Sequence, residues 1–207
     1  MEKRQVLKDY PKTAALRSGE EVALRLMTQG DEAALLEFYK SLPESDRMFL
    51  KEDVTNPQVI HLWAMNLDYN KAIPILVFKG NKIIGDATLL MQTHGWSTHV
   101  GEIRLVVSKE HRGQGLGFLL IKEIFFLAVA LNLEKVMGEV MEDQIVVLSI
   151  LKSLGFRKEA VLKDHVKDLL GNKHNLIIMA NDVKTIWKRM EDLIRDSLSD
   201  KSGWYRF

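Results

Sequence analysis

The hydrophobic residues of this chain follow two spacings, one typical of strands and one typical of helices. Residues 21–27 place an apolar residue at every second position, which predicts a strand. Residues 31–42 carry apolar residues three and four positions apart, which predicts a helix. A second helix is predicted from Asn56-Pro57, a capping residue followed by proline at the first helical position. The polar stretch 44–55 between the two helices predicts a loop.

The middle of the chain has the alternation and the turn residues of paired strands. Residues 73–78 and 83–92 flank a short turn that contains glycine, which predicts a hairpin. Gly85 lies inside the second of these strands and predicts a bulge or a close backbone approach. Residues 100–107 form the next predicted strand. It leads into 116–131, which is apolar on nearly all sides and therefore predicts a helix buried against the sheet.

The last third of the chain predicts one parallel strand and a closing hairpin. A strand over 135–141 should lie parallel to the strand over 100–107, because a strand–helix–strand unit crosses over right-handed. The other predicted elements are a helix closed by Gly155, two strands of a hairpin and a terminal amphipathic helix: 144–154, 156–166, 175–180 and 182–198. We predict one domain over 20–182. An arm over 1–19, loosely attached or forming a short extra strand, precedes it, and the helix and aromatic tail over 183–207 pack on it.

Three glycines stand at alternate positions where the strand over 100–107 gives way to the apolar helix. Gly113, Gly115 and Gly117 would let backbone N–H groups approach a ligand without interference from a Cβ atom. The N-terminus of a helix adds unpaired N–H donors and a partial positive charge. Arg112 adds a cation at the same place. The junction therefore predicts a site for a phosphate or pyrophosphate group, with an ordinary strand-to-helix turn as the alternative.

Two common phosphate loops do not fit this junction. The P-loop pattern requires a Gly-Lys-Ser/Thr that is missing here, and the dinucleotide fingerprint requires a wider spacing between its second and third glycines. Residues 112–117 instead read Arg-Gly-Gln-Gly-Leu-Gly, which fits the pattern Arg-x-x-Gly-x-Gly. This stretch resembles the acyl-CoA pyrophosphate loop of the GNAT superfamily of N-acetyltransferases.

A second motif further along the chain supports the same resemblance. Leu154-Gly155-Phe156 ends a predicted helix and precedes a charged strand, and it is similar to the Leu-Gly-Phe end of a late helix in that superfamily. The resemblance covers residues 20–182. It implies an α/β (α+β) fold with a mixed, largely antiparallel central sheet of about seven strands, one splayed parallel pair and helices on both faces.

The resemblance also implies an acyltransferase. Such an enzyme transfers the acetyl group of its co-substrate acetyl-CoA directly to an amine acceptor, either a small molecule or a protein lysine or N-terminus. Backbone groups of the strand before residues 112–117, the glycine loop, would pair with the pantetheine arm. Amides of this loop would hold the pyrophosphate. A glutamine stands where the superfamily usually has a pantetheine-binding asparagine. The positions that would bind acetyl-CoA are Leu105, Val106, Val107, Arg112, Gly113, Gln114, Gly115, Leu116, Gly117 and Gln144.

Glu102 is the candidate general base. It lies four residues before Val106 on the same face of the predicted strand, and a base at this place, acting through water, recurs in the superfamily. An ion pair with Arg104 or a lysine is the alternative. Leu151 replaces the tyrosine that often protonates the leaving thiolate, and Asn175 replaces an aspartate common near the last strand. These departures leave a non-catalytic acyl-CoA-binding sensor or regulatory module as the second hypothesis.

Composition limits the range of partners. The 207 residues include 29 Lys and Arg against 28 Asp and Glu, so the formal charge of +1 creates no global field that favours nucleic acid or an anionic membrane. The absence of cysteine excludes disulfides, thiolate metal sites and a cysteine nucleophile, and the histidine spacing predicts no metal site. The polar start and the short apolar runs predict a cytoplasmic protein. A homodimer through the terminal helix is also an expectation, because superfamily members often form dimers.

Overall fold

The computed structural model describes residues 3–47, 50–168 and 170–185. The strands found in these residues are β1 (Lys12–Ala15), β2 (Glu21–Leu26), β3 (Ala72–Lys79), β4 (Lys82–Met91), β5 (Val100–Val107), β6 (Lys135–Met141), β7 (Arg157–Lys167) and β8 (Lys173–Asp182). The α-helices are α1 (Lys3–Leu7), α2 (Glu32–Ser41), α3 (Glu44–Arg47), α4 (Pro57–Met65), α5 (Leu116–Ala130) and α6 (Ile145–Ser153). The described helices include none that is long and apolar enough to cross a membrane.

The eight strands form one sheet in the order β1-β2-β3-β4-β5-β6-β8-β7. Every pair of neighbours is antiparallel except β5 and β6, which are parallel. The predicted mixed, largely antiparallel sheet with one parallel pair is therefore confirmed. The sheet has one strand more than the seven expected, because β1 pairs with β2 and extends the edge.

The parallel pair separates soon after it begins. The register runs from Val100 opposite Lys135 to Glu102 opposite Met137. Beyond Glu102, β5 continues to Val107 without a partner from β6 in the described part of the chain. The expected splay is thus present, and it leaves one edge of the second half of β5 open.

Helices cover both faces of the sheet. On β3, Ile75 belongs to a large core cluster around Phe125 of α5, whereas the next residue, Leu76, belongs to a smaller cluster around Phe38 of α2 and Ile60 of α4. All five side chains are almost fully buried. Because burial of such a side chain stabilises the fold by roughly 1.5–3 kcal/mol, these two clusters hold α5 on one face and α2 with α4 on the other.

Gly85 has both properties that its position predicts. The register between β3 and β4 shifts at this point, since Val77 lies opposite Gly85 and Phe78 opposite Ile83. A Cβ atom on Gly85 would also lie only 3.2 Å from a side-chain carbon of Leu120 in α5. Glycine therefore lets the helix that follows the glycine loop pack closely against the sheet.

The Leu-Gly-Phe motif ends α6. Gly155 has a φ of 92°, and its N–H donates to the carbonyl of Lys152, while the N–H of Phe156 donates to the carbonyl of Leu151. This pair of hydrogen bonds is a Schellman motif, in which glycine is favoured at the left-handed position. The ring of Phe156 lies 5.6 Å from that of Phe125 and ties the end of α6 to the core.

The N-terminal arm forms the extra strand and is firmly attached. Val6 is fully buried, and Glu123 on α5 accepts hydrogen bonds from Tyr10 Oη at 2.9 Å and Lys12 Nζ at 2.6 Å. The division of the chain into an arm, a domain and a C-terminal segment stays a prediction. Beyond Thr185, the predicted terminal helix and its aromatic tail lie outside the described residues.

The predicted loop over 44–55 is wrong at its start, where α3 forms. The carbonyl of Pro43 accepts hydrogen bonds from the amides of Asp46 and Arg47, so the proline that ends α2 also begins the next turn of helix. This short helix brings Asp46 into contact with Arg112, next to the glycines.

Candidate active site

The open edge of β5 leads directly into the glycine loop. Leu105 and Val106 pair with Ala87 and Asp86 of β4 on one side. On the other side, no strand pairs with them among the described residues. Their outward backbone groups are therefore available to an extended ligand, which can add to such an edge as another strand would. The predicted pantetheine-binding positions lie along this edge.

The glycine loop presents free backbone donors at the N-terminus of α5. Gly113 has a φ of 74° and Gly115 a φ of 88°, conformations that L side chains rarely adopt. A Cβ atom on Gly113 or Gly117 would meet only open space. In the described part of the chain, no protein acceptor receives a hydrogen bond from the amides of residues 113–117. Unpaired amides at the positive end of a helix are the kind of donors that bind an anion, as the sequence predicts for this loop.

Gln114 shapes the loop with both its backbone and its side chain. Its carbonyl accepts a hydrogen bond from the amide of Arg17 at 3.0 Å, and its Oε1 accepts one from Ser18 Oγ at 3.3 Å. Its Nε2 donates to the carbonyl of Glu110 at 3.1 Å. The side chain of this predicted ligand residue is thus engaged within the protein, which leaves its backbone amide for a ligand.

Arg112 pairs with a carboxylate that the sequence did not predict. Its Nη2 lies 2.6 Å from Oδ2 of Asp46 on α3, and its Nε and Nη2 donate to the carbonyl of Val107 at 3.3 Å and 3.2 Å. The Arg112 side chain is 47% exposed. Exposed ion pairs contribute only about 0–1 kcal/mol, so a pyrophosphate can compete with Asp46 for this guanidinium.

Glu102 is held by two cations at the point where β5 and β6 separate. Its Oε1 lies 2.9 Å from Lys51 Nζ and 3.5 Å from Arg104 Nε. Lys51 Nζ also lies 2.8 Å from Oε2 of Glu139, so one ammonium joins a carboxylate from each of the two splayed strands. Partial burial would lower the pKa of Lys51, but the hydrogen bonds to Glu139 and Glu102 outweigh it and raise this pKa. The ion-pair alternative for Glu102 is therefore present in the structure, and its catalytic role stays a prediction.

The sequence match comes from this region of the chain. The acetyltransferase (GNAT) family matches residues 35–156, more than half of the chain and the part that holds the splayed strands and the glycine loop. The chain belongs to this family. The predicted acyltransferase class is thereby confirmed. No curated protein matches the sequence.

Solved structures share the GNAT fold with this chain. An acetyltransferase of the GNAT family from Streptococcus pneumoniae superposes with a TM-score of 0.69 at 18% identity, over 78% of this chain and 99% of that one. A ribosomal-protein-alanine N-acetyltransferase from Brucella melitensis gives 0.68 at 20% identity, over 77% and 98%. A putative acetyltransferase from Salmonella typhimurium, solved with its cofactor acetyl-CoA, gives 0.68 at 16% identity, over 78% and 94%. These identities are low, so the likeness establishes the fold alone.

The remaining predicted positions of this GNAT chain lie around α6. Gln144 stands at the N-terminus of α6, where its Oε1 accepts a hydrogen bond from the amide of Met141 at 3.1 Å. Leu151 is buried in the core and has no proton to give. Asn175 Nδ2 donates to Glu142 Oε2 at 3.0 Å, so its amide joins β8 to the loop before α6. Within the described part of the chain, Gln144 Nε2 donates to no protein acceptor, whereas Leu151 and Asn175 make contacts within the fold.

Sequence reasoning missed a buried pair beneath Val106. Asp86 lies opposite Val106 on the neighbouring strand and accepts a hydrogen bond from Tyr39 Oη at 2.6 Å. Burial raises the pKa of Asp86 to about 6, against the opposing effect of the Tyr39 hydrogen bond. Burial also raises the pKa of Tyr39. A lone carboxylate in an otherwise apolar strand was the available signal, because buried charges need partners.

Proposed function

We propose that this protein transfers the acetyl group of acetyl-CoA to a primary amine of a small molecule or protein. One observation carries the proposal, which is the open edge of β5 running into a loop whose amides lack protein acceptors. An edge strand followed by an anion site suits a ligand with an amide-containing arm and a pyrophosphate. Membership of the GNAT family supports acetyl-CoA as that ligand.

We assign most of the contacts with acetyl-CoA to backbone groups. Leu105, Val106 and Val107 would pair with the pantetheine arm, and the amides of 113–117 would hold the pyrophosphate with help from Arg112. Gln144 would donate its free amide N–H to the arm. These groups orient the thioester at the splay, where N–H donors can stabilise negative charge that develops on its oxygen.

The chemical step assigned to this site is direct attack by a neutral amine. Glu102 would take a proton from the acceptor ammonium through a water molecule. The amine nitrogen then bonds to the acetyl carbon while the carbon–sulfur bond breaks and the CoA thiolate leaves. Since Leu151 cannot act as an acid, the surplus proton that the nitrogen carries after attack would pass through water to the thiolate. A thiol pKa of about 8.5 makes the thiolate a good leaving group even without a dedicated acid.

The experiment is a CoA-release assay over an acceptor panel of lysine peptides, N-terminal peptides, polyamines and free amino acids. The chain contains no cysteine, so a thiol reagent reads released CoA without background from the protein. Acetyl-CoA should raise the thermal midpoint, and at least one amine should release CoA at a rate proportional to enzyme. A rise in the midpoint without release by any acceptor would instead support the sensor hypothesis. The cytoplasmic location and the homodimer stay predictions.

A further inference from the structure

A second cation stands beside the glycine loop, on the turn between β1 and β2. A Cβ atom placed on Gly115 would lie 3.5 Å from both Cγ and Nε of Arg17. The Arg17 side chain therefore packs against the central glycine of the predicted pyrophosphate loop. It comes from the N-terminal arm, to which the sequence assigned no role.

The guanidinium of Arg17, unlike that of Arg112, has no partner among the described residues. Arg17 is exposed, and its side chain makes no ion pair or hydrogen bond with any described residue. Arg112, the arginine of the loop motif, is bound to Asp46 and to the carbonyl of Val107. Of these two arginines, Arg17 is thus the one that can bind a ligand without breaking a side-chain contact to a described residue.

The position of Arg17 is fixed by the fold. Its amide donates to the carbonyl of Gln114 at 3.0 Å, which joins the turn to the loop. Within the turn, the amide of Leu16 donates to the carbonyl of Glu20 at 2.8 Å. The strand before the turn is bound to α5 through Lys12 and Glu123. Because the same helix follows the glycine loop, the turn and the loop are held on one support.

We propose that Arg17 binds the pyrophosphate of acetyl-CoA together with the amides of residues 113–117. A guanidinium presents several N–H donors in one plane and forms charge-assisted hydrogen bonds with phosphate oxygens. The inference rests on the proposed function, since it takes acetyl-CoA as the ligand. It gives the N-terminal arm a direct role in cofactor binding.

The test measures dissociation constants by calorimetry for acetyl-CoA and for its 3′-dephospho form. Arg17→Gln keeps the Cβ and Cγ methylene groups, of which Cγ packs against Gly115, and removes the charge, so it should weaken binding of both ligands about tenfold. Arg17→Lys keeps the charge but loses the planar set of donors, so it should weaken binding less than Arg17→Gln does. Arg157→Gln, on the opposite edge of the sheet, is the matched control and should leave binding unchanged. Thermal midpoints without ligand check that each variant folds.

Three outcomes bear on the proposal. Equal affinities for wild type and Arg17→Gln would overturn it, and so would a loss confined to acetyl-CoA, which would assign Arg17 to the 3′-phosphate. A loss for both ligands supports it. Acetyl transfer is read separately by CoA release. If the wild type releases CoA but Arg17→Gln binds acetyl-CoA with unchanged affinity, the role of Arg17 is refuted and the transferase function stands. If Arg17→Gln weakens binding but no acceptor gives turnover, the role of Arg17 stands and the transferase function is refuted.

Discussion

The two sides of the proposed active site are built from different parts of the polypeptide. The donor side is mainly backbone, consisting of the open edge of β5 and the amides around Gly113 and Gly115, with the side chains of Arg17 and Arg112 beside them. The acceptor side is made of side chains, with Lys51 held between Glu102 and Glu139. The donor side is consequently defined by local conformation, and the acceptor side by charges that residues distant in sequence bring together.

This difference has a consequence for specificity. A backbone site recognises features that every acyl-CoA shares, so it tolerates change in most side chains but not in its glycines. A side-chain site can change its preference through single substitutions. We therefore expect the largest losses from changes to the loop and smaller, more selective effects from changes at the acceptor side.

The largest effect is expected from Gly115→Glu. A side chain at a φ of 88° is strained, and its carboxylate would occupy and repel the anion site. Acetyl-CoA binding should weaken by roughly 1,000-fold, which corresponds to about 4 kcal/mol in a calorimetric titration. Gly95→Glu is the control, because Gly95 has a φ of 92° and open space in the turn between β4 and β5. Equal affinities for the two variants would contradict an anion site at Gly115.

The next largest effect is expected from Glu102→Gln. Loss of a general base should lower kcat about 100-fold, while the dissociation constant of acetyl-CoA stays unchanged because the donor side is untouched. Glu159→Gln, which breaks an exposed pair with Lys135, is the control and should keep full activity. A normal kcat in Glu102→Gln would assign Glu102 to the ion pair alone.

A pH-dependent effect on stability is expected from Asp86. Its pKa of about 6 in the native state lies above the ordinary value of 3.8. Between about pH 4 and about pH 6, Asp86 is therefore protonated in the native state but ionised in the unfolded chain. The free energy of unfolding should fall by about 2–3 kcal/mol as the pH rises through this window. Asp86→Asn should remove the slope in denaturant titrations. Tyr39→Phe removes the hydrogen bond that favours the ionised form and should extend the fall to higher pH. An unchanged slope in Asp86→Asn would refute the assignment.

The smallest effect is expected from Lys51→Met. The substitution removes the ammonium between Glu102 and Glu139. An amine acceptor then no longer competes with Lys51 for these carboxylates, so the KM of the amine should fall about threefold. Lys135→Met, which breaks a comparable surface pair with Glu159, is the control. Steady-state kinetics at saturating acetyl-CoA measure the difference. A rise in the KM of the amine would show instead that Lys51 helps to bind the acceptor.

Much of the donor side could be predicted from sequence because each part depends on neighbouring residues. The strand over 100–107, the glycines of 113–117 and the helix after them follow from alternation, φ preference and apolar content. The end of α6 at Leu-Gly-Phe could be predicted because glycine favours the left-handed conformation that closes a helix, and Gly155 adopts this conformation. The mixed sheet and its splayed parallel pair followed from the resemblance, which these motifs carried, whereas the strand order came from the structure.

The contacts that complete the site were decided by the tertiary structure. Asp46 reaches Arg112 across 66 positions, Lys51 reaches Glu102 across 51, and Ser18 beside Arg17 reaches Gln114 across 96. Periodicity reports which face of an element is buried, but charged side chains on exposed faces have many potential partners. Only the folded chain selects among them. The sequence by itself therefore determined the strand, the glycine loop and the helix after it, on which the proposed anion site rests, and the tertiary structure decided which charges surround them.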